Sequence, residues 1–90
     1  MYLHIGNHIL CDDRDLIGIF DLDNLTASRE STEFLEQYEK KQNLINIGGV
    51  FDLPKSLILI QKGDKDILYM SPITSSTLYK RSKNPTQTLL

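Results

Sequence analysis

Ser56-Leu-Ile-Leu-Ile-Gln-Lys-Gly-Asp-Lys-Asp-Ile-Leu-Tyr-Met-Ser-Pro-Ile-Thr-Ser-Ser-Thr-Leu-Tyr-Lys80 decides the fold of this chain. Leu57, Ile58, Leu59 and Ile60 are apolar without alternation. A strand with no polar face must be covered on both sides. Lys62-Gly-Asp-Lys65 turns the chain, and residues 66–70 return as an antiparallel partner. The strand gives way at Ser71-Pro72. A serine hydroxyl caps an orphan N–H, and proline suits a first helical turn. Ser71 is therefore expected to cap a short C-terminal helix that closes on Lys80, Arg81 and Lys83. Cations there complement the helix end and can also face a phosphate backbone.

Upstream, Gly48-Gly49 breaks a short strand at 44–47, and Pro54 makes 50–55 a loop because it cannot donate to a ladder. No Gly-Lys-Ser/Thr follows the glycine pair, so it is a turn and not a phosphate loop. Residues 25–42 read as one long helix with Thr26 or Ser28 as cap, Glu30 and Glu33 early, and Lys40 and Lys41 late. Phe34, Leu35 and Tyr38 form a narrow apolar stripe, and Glu36 is spaced to pair with Lys40. Residues 16–22 form a third strand, apolar on both faces. Two short strands at 2–5 and 8–11 flank a Gly6-Asn7 hairpin turn. That register pairs Ile5 with His8 and His4 with Ile9. The histidines then point to opposite faces, and His4 shares a face only with Cys11. Two ligands do not hold zinc, so no metal site is expected. The fold class is α+β: a small antiparallel β-sheet with one main helix between its halves and a short C-terminal helix.

Ninety residues make one domain, expected over 1–83, with 84–90 as a flexible tail around Pro85. Cys11 is the sole cysteine, which excludes an intrachain disulfide. The sequence lacks a long apolar run and a secretory start, so the expected address is cytoplasmic, away from membranes. Asp12, Asp13 and Asp15 surround Arg14 without calcium-loop spacing, and Arg14 reads as a turn lock. Ser71 and the hydroxyls of residues 74–77 have no base nearby in sequence, so catalytic residues, cofactors and a small-molecule substrate are not expected.

The net charge of −2 hides a split. Acidic residues crowd the first 24 positions, while Lys55, Lys80, Arg81 and Lys83 form a basic set near the other end. That set reads either as solvated surface or as phosphate contacts. Residues 16, 17, 19, 20 and 57–60 present more apolar strand than one narrow helix covers, so a homo-oligomer is expected. Repetition around an assembly multiplies weak phosphate contacts.

His4-Ile5-Gly6, Arg14-Asp-Leu-Ile-Gly-Ile-Phe20, Pro54-Lys-Ser56 and Tyr69-Met-Ser-Pro-Ile-Thr-Ser-Ser-Thr-Leu-Tyr-Lys-Arg81 occur in that order. Over nearly the whole chain the sequence resembles the small bacterial extracellular matrix regulatory proteins RemA and RemB, and the RemB branch in particular. The resemblance implies a DNA-binding activator of biofilm-matrix genes, working as a ring-like homo-oligomer that arrays basic residues against double-stranded DNA. It adds Arg14, which matches an arginine of RemA, to Lys55, Lys80 and Arg81 as DNA-binding candidates. Where RemA carries an arginine-rich turn, this chain reads Phe51-Asp-Leu-Pro-Lys55, with Lys55 as its one cation. The alternative is an oligomeric scaffold or protein-interaction module of the same fold without DNA affinity.

Overall fold

The structure is a computed structural model that describes residues 2–25 and 29–83. In chain order, β1 (Tyr2–Gly6) and β2 (Ile9–Asp12) lead through a 3-10 turn (Asp13–Asp15) to β3 (Leu16–Asp21). Then come α1 (Leu22–Leu25), α2 (Arg29–Lys40), β4 (Leu44–Asn46), β5 (Ser56–Lys62), β6 (Lys65–Ser71) and α3 (Ser75–Lys83). The single helix expected over 25–42 is thus two helices, and its caps Thr26 and Ser28 lie outside the described residues. On α2 the i,i+4 ion pair is Arg29–Glu33 at 3.4 Å, rather than Glu36 with Lys40.

β5 is the organising strand. It lies between β3 and β6 in a four-stranded sheet of order β3-β5-β6-β4. One face of that sheet carries Ile19, Ile58, Ile60 and Tyr69, and it is covered by Leu3, Ile5 and Cys11 of the β1–β2 hairpin and by Leu78 of α3. The other face carries Phe20, Leu57 and Leu68, and α2 lies on that side, with Phe34 and Phe20 walling one hollow. Leu57 and Ile58 are both 0 % exposed, so β5 is covered twice within a single chain. This corrects the inference that β5 needs another subunit: the hairpin supplies the second layer.

The sheet is mixed, not purely antiparallel as expected. β4 pairs with β6 in parallel, Leu44 beside Leu68 and Asn46 beside Met70, while β1 and β2 form a separate two-stranded sheet. The helical crossover from β3 is the cause. A helix that runs back along a sheet restores the strand direction, so β4 emerges parallel to β3 and hence to β6.

The hairpin turn also differs from expectation. It is formed by Asn7 and His8, at φ 45° and 65°, and His4 pairs with Leu10. Two successive left-handed residues match the right-handed twist of a hairpin, and Asn and His tolerate that region. A bulge between His4 and Gly6 absorbs the register shift. Cys11 pairs with Leu3 and enters the core, so it does not share a face with His4.

Candidate functional site

The Ser-Pro segment builds the joint that carries the basic residues. Ser56 and Ser71 are cross-strand partners, each 0 % exposed. The Ser71 hydroxyl donates to the Ile5 carbonyl at 2.6 Å and accepts from the Ile73 N–H at 3.1 Å. The Ser56 hydroxyl donates to the Ile73 carbonyl at 2.7 Å. A buried polar group without a partner costs about 1–3 kcal/mol, so the two serines are fixed by the groups they satisfy. Ser71 therefore ends β6 and does not cap α3, since a residue before proline stays extended. The cap is Thr74, whose hydroxyl accepts the Thr77 N–H at 3.3 Å.

α3 leaves this joint and presents Lys80 and Arg81 in different settings. Lys80 is exposed, with no carboxylate partner among the described residues. Arg81 turns inward. Its Nη1 donates to the His4 carbonyl at 3.1 Å and stands 3.3 Å from His4 Nδ1. The end of α3 is thereby tied to β1. The side chain of Lys83 lies outside the described residues.

Lys55 sits just before β5. Its N–H donates to the Ser71 carbonyl at 2.8 Å and its carbonyl accepts from the Leu22 N–H at 3.2 Å. The backbone is pinned from two sides while the ammonium group is exposed. Arg14 is 82 % exposed and grips Asp12, with Nη2 2.7 Å from Oδ2 and Nε 3.1 Å from Oδ1. Asp12 also caps the 3-10 turn by accepting the Arg14 N–H at 3.0 Å. Hydrogen bonds from Arg14 hold the Asp12 carboxyl well below the usual carboxylate range. Of the four candidate contacts, Lys55 and Lys80 offer free charge, whereas Arg14 and Arg81 are engaged within the chain.

Three residues escaped the sequence reading. Val50, Phe51 and Leu53 are 95 %, 98 % and 79 % exposed, on a tight turn between β4 and β5. The signal was a Val-Phe pair set between Gly48-Gly49 and Pro54, where a loop ordinarily carries polar residues. The Gly49 N–H donates to Asp52 Oδ2 at 3.0 Å and the Asp52 N–H to the Gly49 carbonyl at 3.1 Å, so the turn holds its shape without help from its apolar side chains.

A second concavity, of about 450 Å³, lies between the end of α2 and the β5–β6 turn and is lined by Gln37, Tyr38, Lys41, Lys65 and Asp66 among others. Burial, then the charge of Asp66, pushes the Tyr38 hydroxyl above its ordinary value. Cys11 is shielded in the core. Burial first, and then Asp15, Asp12 and Asp13, push its thiol up to about 11. Among the described residues, no group of three His, Cys, Asp or Glu could hold a metal ion, and no helix is long and apolar enough to cross a membrane.

The fold and its surface define a small α+β module that exposes the cations Lys55 and Lys80 and the apolar side chains of Val50, Phe51 and Leu53. No family model matches the sequence. Over 83 residues the chain is 32 % identical to extracellular matrix regulatory protein B of Bacillus subtilis (strain 168), covering 92 % of this chain and 91 % of that protein. The chain belongs to this family of extracellular matrix regulatory proteins, RemA and RemB.

Proposed function

We propose that this chain is a regulator of extracellular-matrix genes, and that it acts as a cytoplasmic homo-oligomer, ring-like in form, that lays basic residues along the DNA backbone. The observation that carries the reading, beyond family membership, is the setting of Lys55 and Lys80. Both ammonium groups are exposed, without a carboxylate partner among the described residues, on backbone that the Ser56–Ser71 joint fixes. Held backbone fixes where each lysine stem begins, and phosphate contacts position a protein more than they read sequence. Arg14 contributes with the guanidinium edge that Asp12 leaves open. Arg81 contributes by setting the angle of α3 and with any donor that His4 leaves free. The function is binding and not catalysis, and it uses no cofactor.

One observation favours the alternative of a scaffold without DNA affinity. Asp12 offsets Arg14, and the turn between β4 and β5 exposes Val50 and Phe51 instead of cations. Titration of duplex DNA at two salt concentrations separates the readings. Phosphate contacts release counterions, so affinity falls with salt at a log–log slope of about −0.9 per contact. Retardation at low salt that vanishes as salt rises supports regulation through DNA. No retardation at low salt, from a folded oligomer, refutes it in favour of the scaffold.

A further inference from the structure

The four-stranded sheet ends in two unlike edges, β3 on one side and β4 on the other. The tight β5–β6 turn makes Lys62 and Lys65 a bonded pair, so by alternation Leu57 and Leu59 bond β3 through Phe20 and Gly18. Ile19 then turns its N–H and C=O away from β5. On β4 the Asn43 carbonyl and the Ile47 N–H bond β6, so Leu44 and Asn46 turn theirs outward. The bulge between Leu16 and Gly18 leaves β3 a straight run about as long as β4. Gly18-Ile19-Phe20 and Leu44-Ile45-Asn46 carry neither charge nor proline, the residues that ordinarily blunt an open edge. β3 and β6 each run antiparallel to β5, and β4 runs parallel to β6, so both edges point the same way.

We propose that β3 of one copy pairs in parallel with β4 of the next, Ile19 opposite Ile45, so that one sheet passes from copy to copy around a ring. The inference rests on the homo-oligomer of the reading above and names its contact. In this register the Ile19 N–H donates to the Leu44 carbonyl of the next copy, and the Ile19 carbonyl accepts from that copy's Asn46 N–H. The side chains agree. Ile19 and Ile45 both lie on the hairpin side of the sheet, in line with Ile58 and Tyr69, and the exposed Tyr79 of α3 flanks Ile19. On the other side Leu44 meets Gly18, over which the Phe20 ring lies. Charge agrees as well. Counting back four residues from the matched isoleucines reaches the acidic turn Asp13–Asp15 in one copy and Lys40-Lys41 in the next. Such rim charges fix register and partner more than they add affinity. A two-fold pairing of β3 with itself would be antiparallel, and would set Asp13 and Asp15 against Asp21 and Asp23. Like charges placed opposite one another disfavour it. Two ladder bonds hold a pair weakly, but in a closed ring every copy makes a junction at each edge, and closure makes the last one intramolecular.

The test uses the full chain. Its mass in solution is expected to exceed that of a dimer of 10.3 kDa chains. Ile45→Lys, at an exposed position, is expected to lower that mass by about twofold or more with an unchanged circular dichroism spectrum. Ile19→Cys and Ile45→Cys copies, equilibrated together under a mild oxidant, are expected to form a mixed disulfide, because paired strands lie about 5 Å apart and the bond reaches across about 7 Å between Cα atoms. Neither variant is expected to link to itself. Cys11 is buried and does not compete. A Leu53→Cys copy, more exposed than either and off both edges, serves as the control partner. An oligomer with an unchanged mass for Ile45→Lys, with a mixed disulfide no more abundant than the control, or with preferential self-linking overturns the contact alone. A parent protein of dimer mass overturns the contact and the ring, and a monomeric parent overturns the homo-oligomer as well. None of these readouts involves DNA. Lost retardation with mass and cross-link intact therefore strikes the DNA reading and leaves the contact standing.

Discussion

Replacing Arg81 and replacing its neighbour Lys80 should fail in opposite ways. Arg81→Ala removes a charge-assisted donor from the half-buried His4 carbonyl. Hydrogen bonds to charged groups contribute about 1.5–3 kcal/mol, and partial exposure brings the expected loss to about 1–2 kcal/mol. For a domain of this size that lowers Tm by roughly 5–15 °C. Lys80→Ala touches nothing in the chain and keeps helix propensity, so its stability change stays within about 0.5 kcal/mol. Its effect should appear in DNA affinity. One phosphate contact with a slope of about −0.9 is worth roughly 8-fold at 0.1 M salt relative to 1 M, and an oligomer loses one contact per engaged subunit. Thermal unfolding by circular dichroism and fluorescence titration of duplex DNA measure the two effects side by side. Arg81→Lys adds a control. It preserves the charge but not the planar fork, so it should retain most DNA affinity while losing stability. If Arg81→Ala leaves Tm unchanged and abolishes DNA binding, the guanidinium is a phosphate contact and its structural assignment to β1 is wrong. If Lys80→Ala changes neither quantity, Lys80 is only solvated surface.

Ser71→Ala takes the hydroxyl partner from the Ile5 carbonyl and the Ile73 N–H, and should cost about 2–4 kcal/mol by denaturant unfolding; a cost under 0.5 kcal/mol would contradict the joint. Asp12→Ser keeps a capping hydroxyl and releases Arg14, so DNA affinity should rise and the salt slope should steepen by about 1 per engaged subunit, whereas a fall in affinity would show that the ion pair shapes the contact surface. Cys11 should resist iodoacetamide in the folded chain at pH 8, because its thiol is buried and pushed up to about 11. A folded-state value raised above the thiol's ordinary value of 9.0 means that the neutral thiol lends stability fully present below pH 9, and that this stability is lost as pH rises toward 11. Rapid labelling at pH 8 without unfolding would place Cys11 outside the core.

The Ser-Pro segment shows how far sequence reasoning reached. It correctly marked the end of β6 and the approach to α3, because a proline fixes local backbone whatever surrounds it. It assigned the cap to Ser71, because a capping serine and a strand-ending serine look alike until the distant Ile5 carbonyl is seen, 66 positions away. Arg14 shows the converse. Its partner Asp12 lies two residues away, so the turn lock was legible directly. Arg81 reads as a helix-end cation until β1 is folded against it, and Val50 and Phe51 read as ordinary loop until their exposure is known.

By itself the sequence determined the strands, the helical regions, the acidic and basic halves and the family, because each rests on local periodicity, on turn residues or on ordered motifs. Only the tertiary structure decided that β4 runs parallel to β6, that the hairpin covers β5, and that Arg81 is engaged by His4 while Lys55 and Lys80 meet no carboxylate among the described residues. The physical reason is range. A turn or a cap is decided within a few residues, whereas pairing direction, cover and the fate of a charge depend on groups that only the folded chain brings together.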